Sequence, residues 1–345
     1  MAGWAVRGVV LPYGRDAERW WVDASGSVRD RPVPGAEPLP GRFFLPGLVD
    51  AHAHPAVAAG FRARDAGAAR ETLLAWARDG ITAVRDVGSP AGVTLSVGSA
   101  PGMPAVQAAG RFLAPAGRYY PDLLDAPVAE ADLVGRALAE VGRGATWVKV
   151  IADFPDRAAG TDTAATYGIE AVTDLVEAVH AAGARVAVHS TIPSVAALVT
   201  AGVDSVEHGF GLDEATVREM ARRGTAWTPT VGALLALVDA SHQPARRARL
   251  EEARERLAAL VPLAVSLGVP VLAGTDVTGS IPGEVALLAG LGLDPADALA
   301  AASVRPRQYL GLAGTDVVTY HRDPRDDPAE LTRPAAVIVR GSRVR

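Results

Sequence analysis

The stretch ATWVKVIAD occupies positions 145–153. From Thr146 to Asp153 it is apolar at every interior position except Lys149, with no alternation to mark a solvent-facing side. A short continuous apolar run of this kind reads as a strand buried on both faces, as in a parallel sheet covered by helices. Lys149 is also the single lysine of the chain, in which 34 residues are Lys or Arg. The fold follows from what surrounds this run, and the chemistry from why an ammonium is placed inside it.

Seven more runs of the chain resemble it. They are FFLPGLVDAHAH (43–54), ITAVRDVG (81–88), MPAVQAAG (103–110), RVAVHS (185–190), VDSVEH (203–208), TAWTPT (225–230) and VPVLAGTD (269–276). Helical stretches such as ETLLAWARDG (71–80) and GIEAVTDLVEAVHAAG (168–183) lie between them, several ending in glycine, a common helix stop. Eight strand–helix units in this length predict an α/β protein built on a (β/α)8 TIM barrel over residues 45–313. An open doubly wound sheet is the alternative, but no glycine-rich nucleotide fingerprint follows the first strand.

The two ends differ from the middle. WAVRGVVL and RWWVDA near the start, and TDVVTYHRD (315–323) and AAVIVRGSRVR (335–345) at the close, suggest short antiparallel strands. Residues 1–44 and 314–345 are therefore expected to form one small β-sandwich domain, with DPRDDPAELTRP as a surface loop.

Composition sets limits. The chain has 345 residues, 49% of them hydrophobic, and a net charge of −5. That length can bury a stable core without staples. There is no cysteine, so neither disulfides nor thiolate ligands occur, in keeping with a cytoplasmic protein. No block of Lys or Arg argues for nucleic acid. The N-terminus lacks a signal pattern. The apolar stretch 258–275 is interrupted by Pro262, Gly268 and Pro270, which predicts a helix ending at Gly268 and a buried strand from Val269 rather than a membrane span. The expected partner is a small-molecule substrate, with no nucleic acid and no membrane; homo-oligomerisation stays open.

In a barrel of this type, the C-terminal strand ends build the active site. His52 and His54, spaced by two, share one side of the first strand. The fourth strand contains Lys149, the fifth ends at His189, the sixth at His208 and the eighth at Asp276. Taken singly, a strand-end histidine is more often a hydrogen-bonding residue than a ligand, and Asp276 could be a cap. Together, these six residues from five strand ends converge on one mouth and suit zinc or a similar divalent ion. His180, His242 and His321 fall in a helix, a loop and the small domain, and are not expected to be ligands.

FFLPGLVDAHAHP, ITAVRDVGS, VAVHS, SVEHG, TPTV and LAGTD, in this order, resemble the amidohydrolase superfamily over about residues 40 to 313. The nearest branch by these motifs is the imidazolonepropionase-like and Xaa-Pro dipeptidase (prolidase)-like group. The resemblance implies that Lys149 is carboxylated. Burial lowers a lysine's pKa, and the neutral amine can combine with carbon dioxide to give a carbamate, an anionic ligand that arginine cannot become. It further implies two divalent metal ions, zinc being the expected one. His52, His54 and Asp276 would hold one ion and His189 and His208 the other, with the Lys149 carbamate and a hydroxide bridging them. Asp276 would also move the proton. The implied activity is hydrolysis of a C–N amide or peptide bond in a dipeptide, an N-acyl amino acid or a cyclic amide.

The loop GRFLAPAGRYYPD supplies candidate substrate-binding residues Arg118, Tyr119 and Tyr120, with Arg111, Thr191 and Thr228 as weaker ones. The Gly-His pair common near this point in the resembling enzymes is missing. Other readings stay open. They are a mononuclear deaminase or imidazolonepropionase-type hydrolase in which Lys149 is structural, a lactone, ester or organophosphate hydrolase on the same site, and a non-catalytic barrel.

Overall fold

The structure is a computed structural model that describes residues 3–23, 26–156, 159–312 and 316–345. Both chain ends feed one mixed sheet. Its N-terminal strands are β1 (Trp4–Val10), β2 (Ala17–Val22), β3 (Val28–Arg29), β4 (Glu37–Pro38) and β5 (Phe43–Leu45). β1 is antiparallel to β2 and parallel to both β4 and β5. Three strands from the far end, Val317–Tyr320, Ala336–Val339 and Ser342–Arg343, extend the sheet beyond β5. The sequence reading expects a sandwich of two sheets here, and the structure has one eight-stranded sheet. The reason lies in β1, which accepts partners along both edges and so draws all the short strands into a single ladder. Trp4, Val6, Val22, Phe44, Val317 and Ile338 form the sheet's own apolar cluster.

The expected strand 43–54 is divided. β5 ends at Leu45 in the end sheet, and β6 (Leu48–Ala53) begins the parallel layer. Gly47 makes the switch at φ +73°, where a Cβ would lie 2.1 Å from Thr82 Oγ1, so only glycine fits.

The hairpin β7 (Val57–Ala58) and β8 (Arg62–Ala63) follows β6. Next come β9 (Ile81–Asp86), β10 (Ala105–Ala108), β11 (Phe112–Leu113), β12 (Trp147–Ile151), the hairpin β13 (Asp153–Pro155) and β14 (Thr163–Ala165), β15 (Arg185–Ser190), β16 (Ser205–His208) and β17 (Ala226–Thr228). One parallel sheet runs β10-β9-β6 and another β11-β12-β15-β16-β17. Single parallel bridges, Trp227 to Val271 and Ala53 to Asp276, connect the outer strands of the two sheets through segment 271–276. The expected eighth strand is thus two bridge points. Pro270 offers no amide hydrogen to the ladder, and Ala273 N donates to Ala301 O at 2.8 Å instead of to a strand.

Among the described residues ten α-helices accompany the strands: α1 (Ala66–Arg78), α2 (Leu133–Gly142), α3 (Ile169–Ala181), α4 (Val195–Thr200), α5 (Glu214–Arg223), α6 (Val231–Ala240), α7 (Pro244–Ser266), α8 (Ile281–Gly290), α9 (Pro295–Ala301) and α10 (Val304–Leu310). Local chemistry sets their ends. Asp65 caps α1 by accepting from Ala68 N at 2.8 Å, and Ala69, Leu73 and Ala77, four apart, make its buried stripe. α5 stops at Gly224, in the left-handed region at φ 72°. α7 continues through Pro262 and ends at Ser266, two residues before Gly268, where the sequence reading expects a helix to stop. The burial of Leu257, Leu260, Val261 and Ala264 outweighs the one hydrogen bond that the proline removes. Among the described residues no helix is long and apolar enough to cross a membrane. Nor is DPRDDPAELTRP wholly a surface loop, because its 310 turn Pro328–Thr332 buries Glu330 and Leu331.

Candidate metal centre

The C-terminal ends of the parallel strands gather the polar residues singled out by sequence. β6 ends by presenting His52 and His54, both buried. Nδ1 of His54 lies 2.8 Å from Gly88 O, which can only accept. Nδ1 of His52 lies 2.6 Å from Oε2 of Glu207, whose other oxygen accepts from Arg85 Nη2 at 2.7 Å and Ser205 Oγ at 2.6 Å. In both histidines the proton is therefore on Nδ1, and Nε2 keeps its lone pair.

His208 ends β16 and reaches the same state by another route. Its Nδ1 is 2.6 Å from Thr230 Oγ1, and that hydroxyl donates its one proton to Pro229 O at 2.8 Å. Toward His208 the hydroxyl can only accept, so Nδ1 carries the proton again. His189, on β15, completes the cluster. The rings of His189 and His208 are 4.6 Å apart, those of His52 and His208 4.9 Å, and those of His52 and His54 5.3 Å.

Asp276 Oδ1 lies 3.5 Å from His54 Nε2 and 4.0 Å from His52 Nε2. These three residues each offer a ligand atom within 4.8 Å of one another, a group able to hold a metal ion. Lys149 lies opposite Phe112 in the ladder, with its strand neighbour Ile151 opposite His189. It is 1% exposed, and its Nζ has no hydrogen-bond partner among the described residues.

The charge states follow from burial. All four imidazoles are held below the usual histidine range by loss of water, His52, His189 and His208 next by neighbouring positive charge, while Asp276 and Gly88 O partly oppose the shift of His54; His189 falls to about 3. Burial also lowers Lys149 to about 8, against a partial opposing pull from Glu207. Asp276 is pushed up by burial, although His54 pulls it down. Neutral imidazoles and an ammonium that gives up its proton readily are the states that metal ligation requires.

Backbone strain marks the same residues. His208 (φ 68°), Thr230 (φ 46°) and Asp276 (φ 55°) all occupy the left-handed region without being glycine. Each such position costs on the order of 1–3 kcal/mol and persists only where the surroundings over-determine it, as at functional sites.

Sequence reasoning missed the residues behind the ligands: Glu207, Arg85, Thr230 and Asp50. Arg85 is fully buried, donates from Nε to Ala51 O at 2.6 Å and lies 4.6 Å above the Trp147 ring. Asp50 accepts from His52 N at 3.2 Å and Thr275 Oγ1 at 2.5 Å, tying the start of the ligand strand to the segment that carries Asp276. The available signal was a charge inside each of three apolar strands, Asp50, Arg85 and Glu207, where it must find a partner.

The other candidates are placed differently. Tyr119 and Tyr120 stand among aromatic rings beside the histidines. Phe112 is 5.5 Å from His54 and 4.9 Å from Tyr119, and Phe154 is 5.9 Å from His189 and 5.4 Å from Tyr120. Phe61 stacks on Tyr120 at 3.9 Å. Arg118 faces the β13–β14 hairpin and donates from Nη2 to Ala164 O at 2.6 Å and Ala165 O at 3.2 Å. Arg111 pairs with Asp125 and Glu140, Thr191 binds Asp153, and Thr228 accepts from Arg85, so all three have structural partners. His180 pairs with Asp204 on the surface.

The C-terminal ends of these parallel strands bring four histidines, a lysine and an aspartate together, an arrangement suited to a hydrolase. The chain belongs to the amidohydrolase family, whose model, described as "Amidohydrolase family", matches residues 43–315. It is 35% identical to an uncharacterized protein of Mycobacterium tuberculosis (strain ATCC 25618 / H37Rv), over 97% of this chain and 94% of that protein. Two solved structures share the fold. One, an amidohydrolase, has a TM-score of 0.81 at 22% identity and covers 99% of this chain and 98% of its own. The other, a Xaa-Pro dipeptidase with bound methionine in the active site, has a TM-score of 0.79 at 18% identity and covers 99% of both chains.

Proposed function

We propose that this hydrolase is metal-dependent and cleaves a C–N amide or peptide bond, acting in the cytoplasm on a dipeptide, N-acyl amino acid or cyclic amide. In this reading the two parallel sheets, with β10 and β11 as successive parts of one wall strand, and the bridged segment 271–276 are the wall of one eight-stranded barrel, with the small sheet built by both chain ends beside it. The observation that carries the proposal is the set of Nε2 lone pairs left free on His52, His54 and His208 beside Asp276 and a buried amine that has no hydrogen-bond partner among the described residues.

The donor set fits two divalent ions, zinc by ligand type. His52, His54 and Asp276 would hold one, His189 and His208 the other, and Lys149, carboxylated by carbon dioxide, would serve both. The amine is suited to that modification, because with a pKa of about 8 a usable fraction is neutral at physiological pH. When bound, the ions would supply Lewis-acid polarisation of a carbonyl and a deprotonated water near neutral pH.

The chain's own residues do the rest. Asp276 Oδ1 lies within 4.0 Å of both His52 and His54, and its carboxylate would take the proton of the attacking water and return it to the leaving nitrogen. Glu207, Gly88 and Thr230 hold the imidazole planes, so the ligands need little reorganisation. Four of the six phenylalanines, Phe61, Phe112, Phe154 and Phe210, line this end of the barrel with Tyr119 and Tyr120. These rings would exclude water and favour an apolar substituent on the substrate.

The test is hydrolysis by zinc-reconstituted protein across Xaa-Pro and other dipeptides, N-acyl amino acids, cyclic imides, lactones and esters. Release of an amine from members with apolar side chains is expected. Turnover of esters or lactones alone would overturn the C–N assignment. A second reading, a one-metal deaminase or cyclic-amide hydrolase, draws on the tight group His52, His54 and Asp276, and is separated by the zinc content per chain.

A further inference from the structure

Glu284 lies on α8, outside the ligand set, and is 2% exposed. Among the described residues its carboxyl group forms no ion pair. Oε1 accepts from Val231 N at 2.6 Å and Oε2 from Gly232 N at 3.0 Å, the first two amides of α6. These amides have no partner within their own helix. The residue just before them is Thr230, in the left-handed region at φ 46° and ψ 56°, whose hydroxyl fixes His208. His208 is itself left-handed at φ 68°. A buried carboxyl group on the amides at the start of α6 therefore holds the turn that presents Thr230 Oγ1, and Thr230 in turn fixes the proton and ring of His208.

α8 is tied just as closely to the other side of the cluster. It starts at Ile281, five residues after Asp276, with Ser280 as its cap accepting from Gly283 N at 3.2 Å. Gly279 N donates to Thr275 O at 2.9 Å, closing the turn that carries Asp276. Glu284 thus spans the loops that follow β17 and segment 271–276, and joins two strained ligand residues through one side chain.

We propose that Glu284 is a positioning residue of the metal centre, clamping the start of α6 so that Thr230 holds His208 in its ligating state. This rests on the reading of His208 as a ligand. A neutral amide cannot replace the carboxylate, because one half of it would present N–H groups to a backbone N–H.

The experiment titrates zinc into the full-length, metal-stripped protein against a chromophoric chelator, with bicarbonate present, and records thermal melting of the metal-free protein in parallel. Wild type, Glu284→Gln, Glu284→Asp, Thr230→Val, Thr230→Ser and the double variant Glu284→Gln/Thr230→Val are compared. Glu284→Gln and Thr230→Val should each weaken zinc binding by about 10–100-fold, the usual cost of losing an outer partner of a ligand. Thr230→Ser should bind like wild type. The double variant should lose little more than either single one, since both act through the same ring. If Glu284→Gln does not fold, Glu284→Asp carries the comparison, because its shorter arm keeps the charge but cannot span both amides. Wild-type zinc affinity in the Glu284 variant, whatever its melting temperature, overturns the proposal, as does full additivity in the double variant. Failure of the wild-type protein itself to bind zinc overturns the metal reading instead, and is distinguishable from both.

Discussion

Nδ1 of His52 sits 2.6 Å from Oε2 of Glu207, and the same carboxylate binds Arg85 from its other oxygen at 2.7 Å. One buried glutamate therefore both orients a candidate ligand and neutralises a guanidinium in the core. Glu207→Gln separates the two tasks poorly, because whichever way the amide turns it points N–H groups at Arg85 or at His52. The expected result is a loss of about 3–5 kcal/mol of stability, as when one partner of a buried pair is removed, with weaker metal binding. Chemical denaturation and zinc titration check the two parts.

His52→Ala should lower metal content and reduce activity by orders of magnitude while the fold persists. The parallel core is made of residues such as Val148, Val186, Val188 and Val206, and the imidazole caps its end. Metal analysis with far-ultraviolet circular dichroism tests this, and full activity at unchanged metal content would remove His52 from the site.

The pH dependence of the metal-free protein has a definite sign. His189 is half-buried and neutral, with its pKa lowered to about 3, first by loss of water and then by the Lys149 charge. Below about pH 6.5 the unfolded chain takes up a proton at this position that the folded protein refuses, so acidification favours unfolding. Asp86, pushed up to about 7 by burial, acts in the opposite direction, so the comparison must isolate the histidine. The stability of wild type relative to His189→Asn should fall as pH drops from 7 to 5, read from denaturation midpoints. Parallel curves would contradict a neutral His189.

Arg118 offers a check on the substrate loop. Its Nη2 holds two carbonyls of the β13–β14 hairpin. Arg118→Ala should therefore shift KM alike for carboxylate substrates and for their amides, because the hairpin loosens in both cases. A selective loss with carboxylates would make Arg118 a direct reader of substrate charge.

The alternation of apolar runs with helical stretches was legible as an α/β fold because a strand buried on both faces has no polar side to disguise it. Two features were not legible. The eighth segment reads as a strand in VPVLAGTD, yet Ala273 turns its amide to Ala301, a bond set by where the α9 region packs. The end strands read as two sheets, whereas pairing along both edges of β1 is a long-range choice that no local pattern encodes. At the site, His52, His54, His189, His208, Lys149 and Asp276 stood out because polar residues at the ends of apolar strands are conspicuous. Glu284 did not, since it lies in the helical stretch IPGEVALLAG and its partners are backbone amides, which have no sequence signature.

The most direct test of the account is the zinc content per chain of wild type, Lys149→Ala and Lys149→Arg, each reconstituted with and without bicarbonate. Only wild type can form a carbamate, since a guanidinium stays protonated and an alanine has no amine. A carboxylated Lys149 gives about two ions per wild-type chain with bicarbonate and fewer without it, and about one or fewer in both variants under either condition. Two ions bound to an active Lys149→Arg protein, or a wild-type stoichiometry indifferent to bicarbonate, would contradict the carboxylated lysine and leave Lys149 as a structural residue.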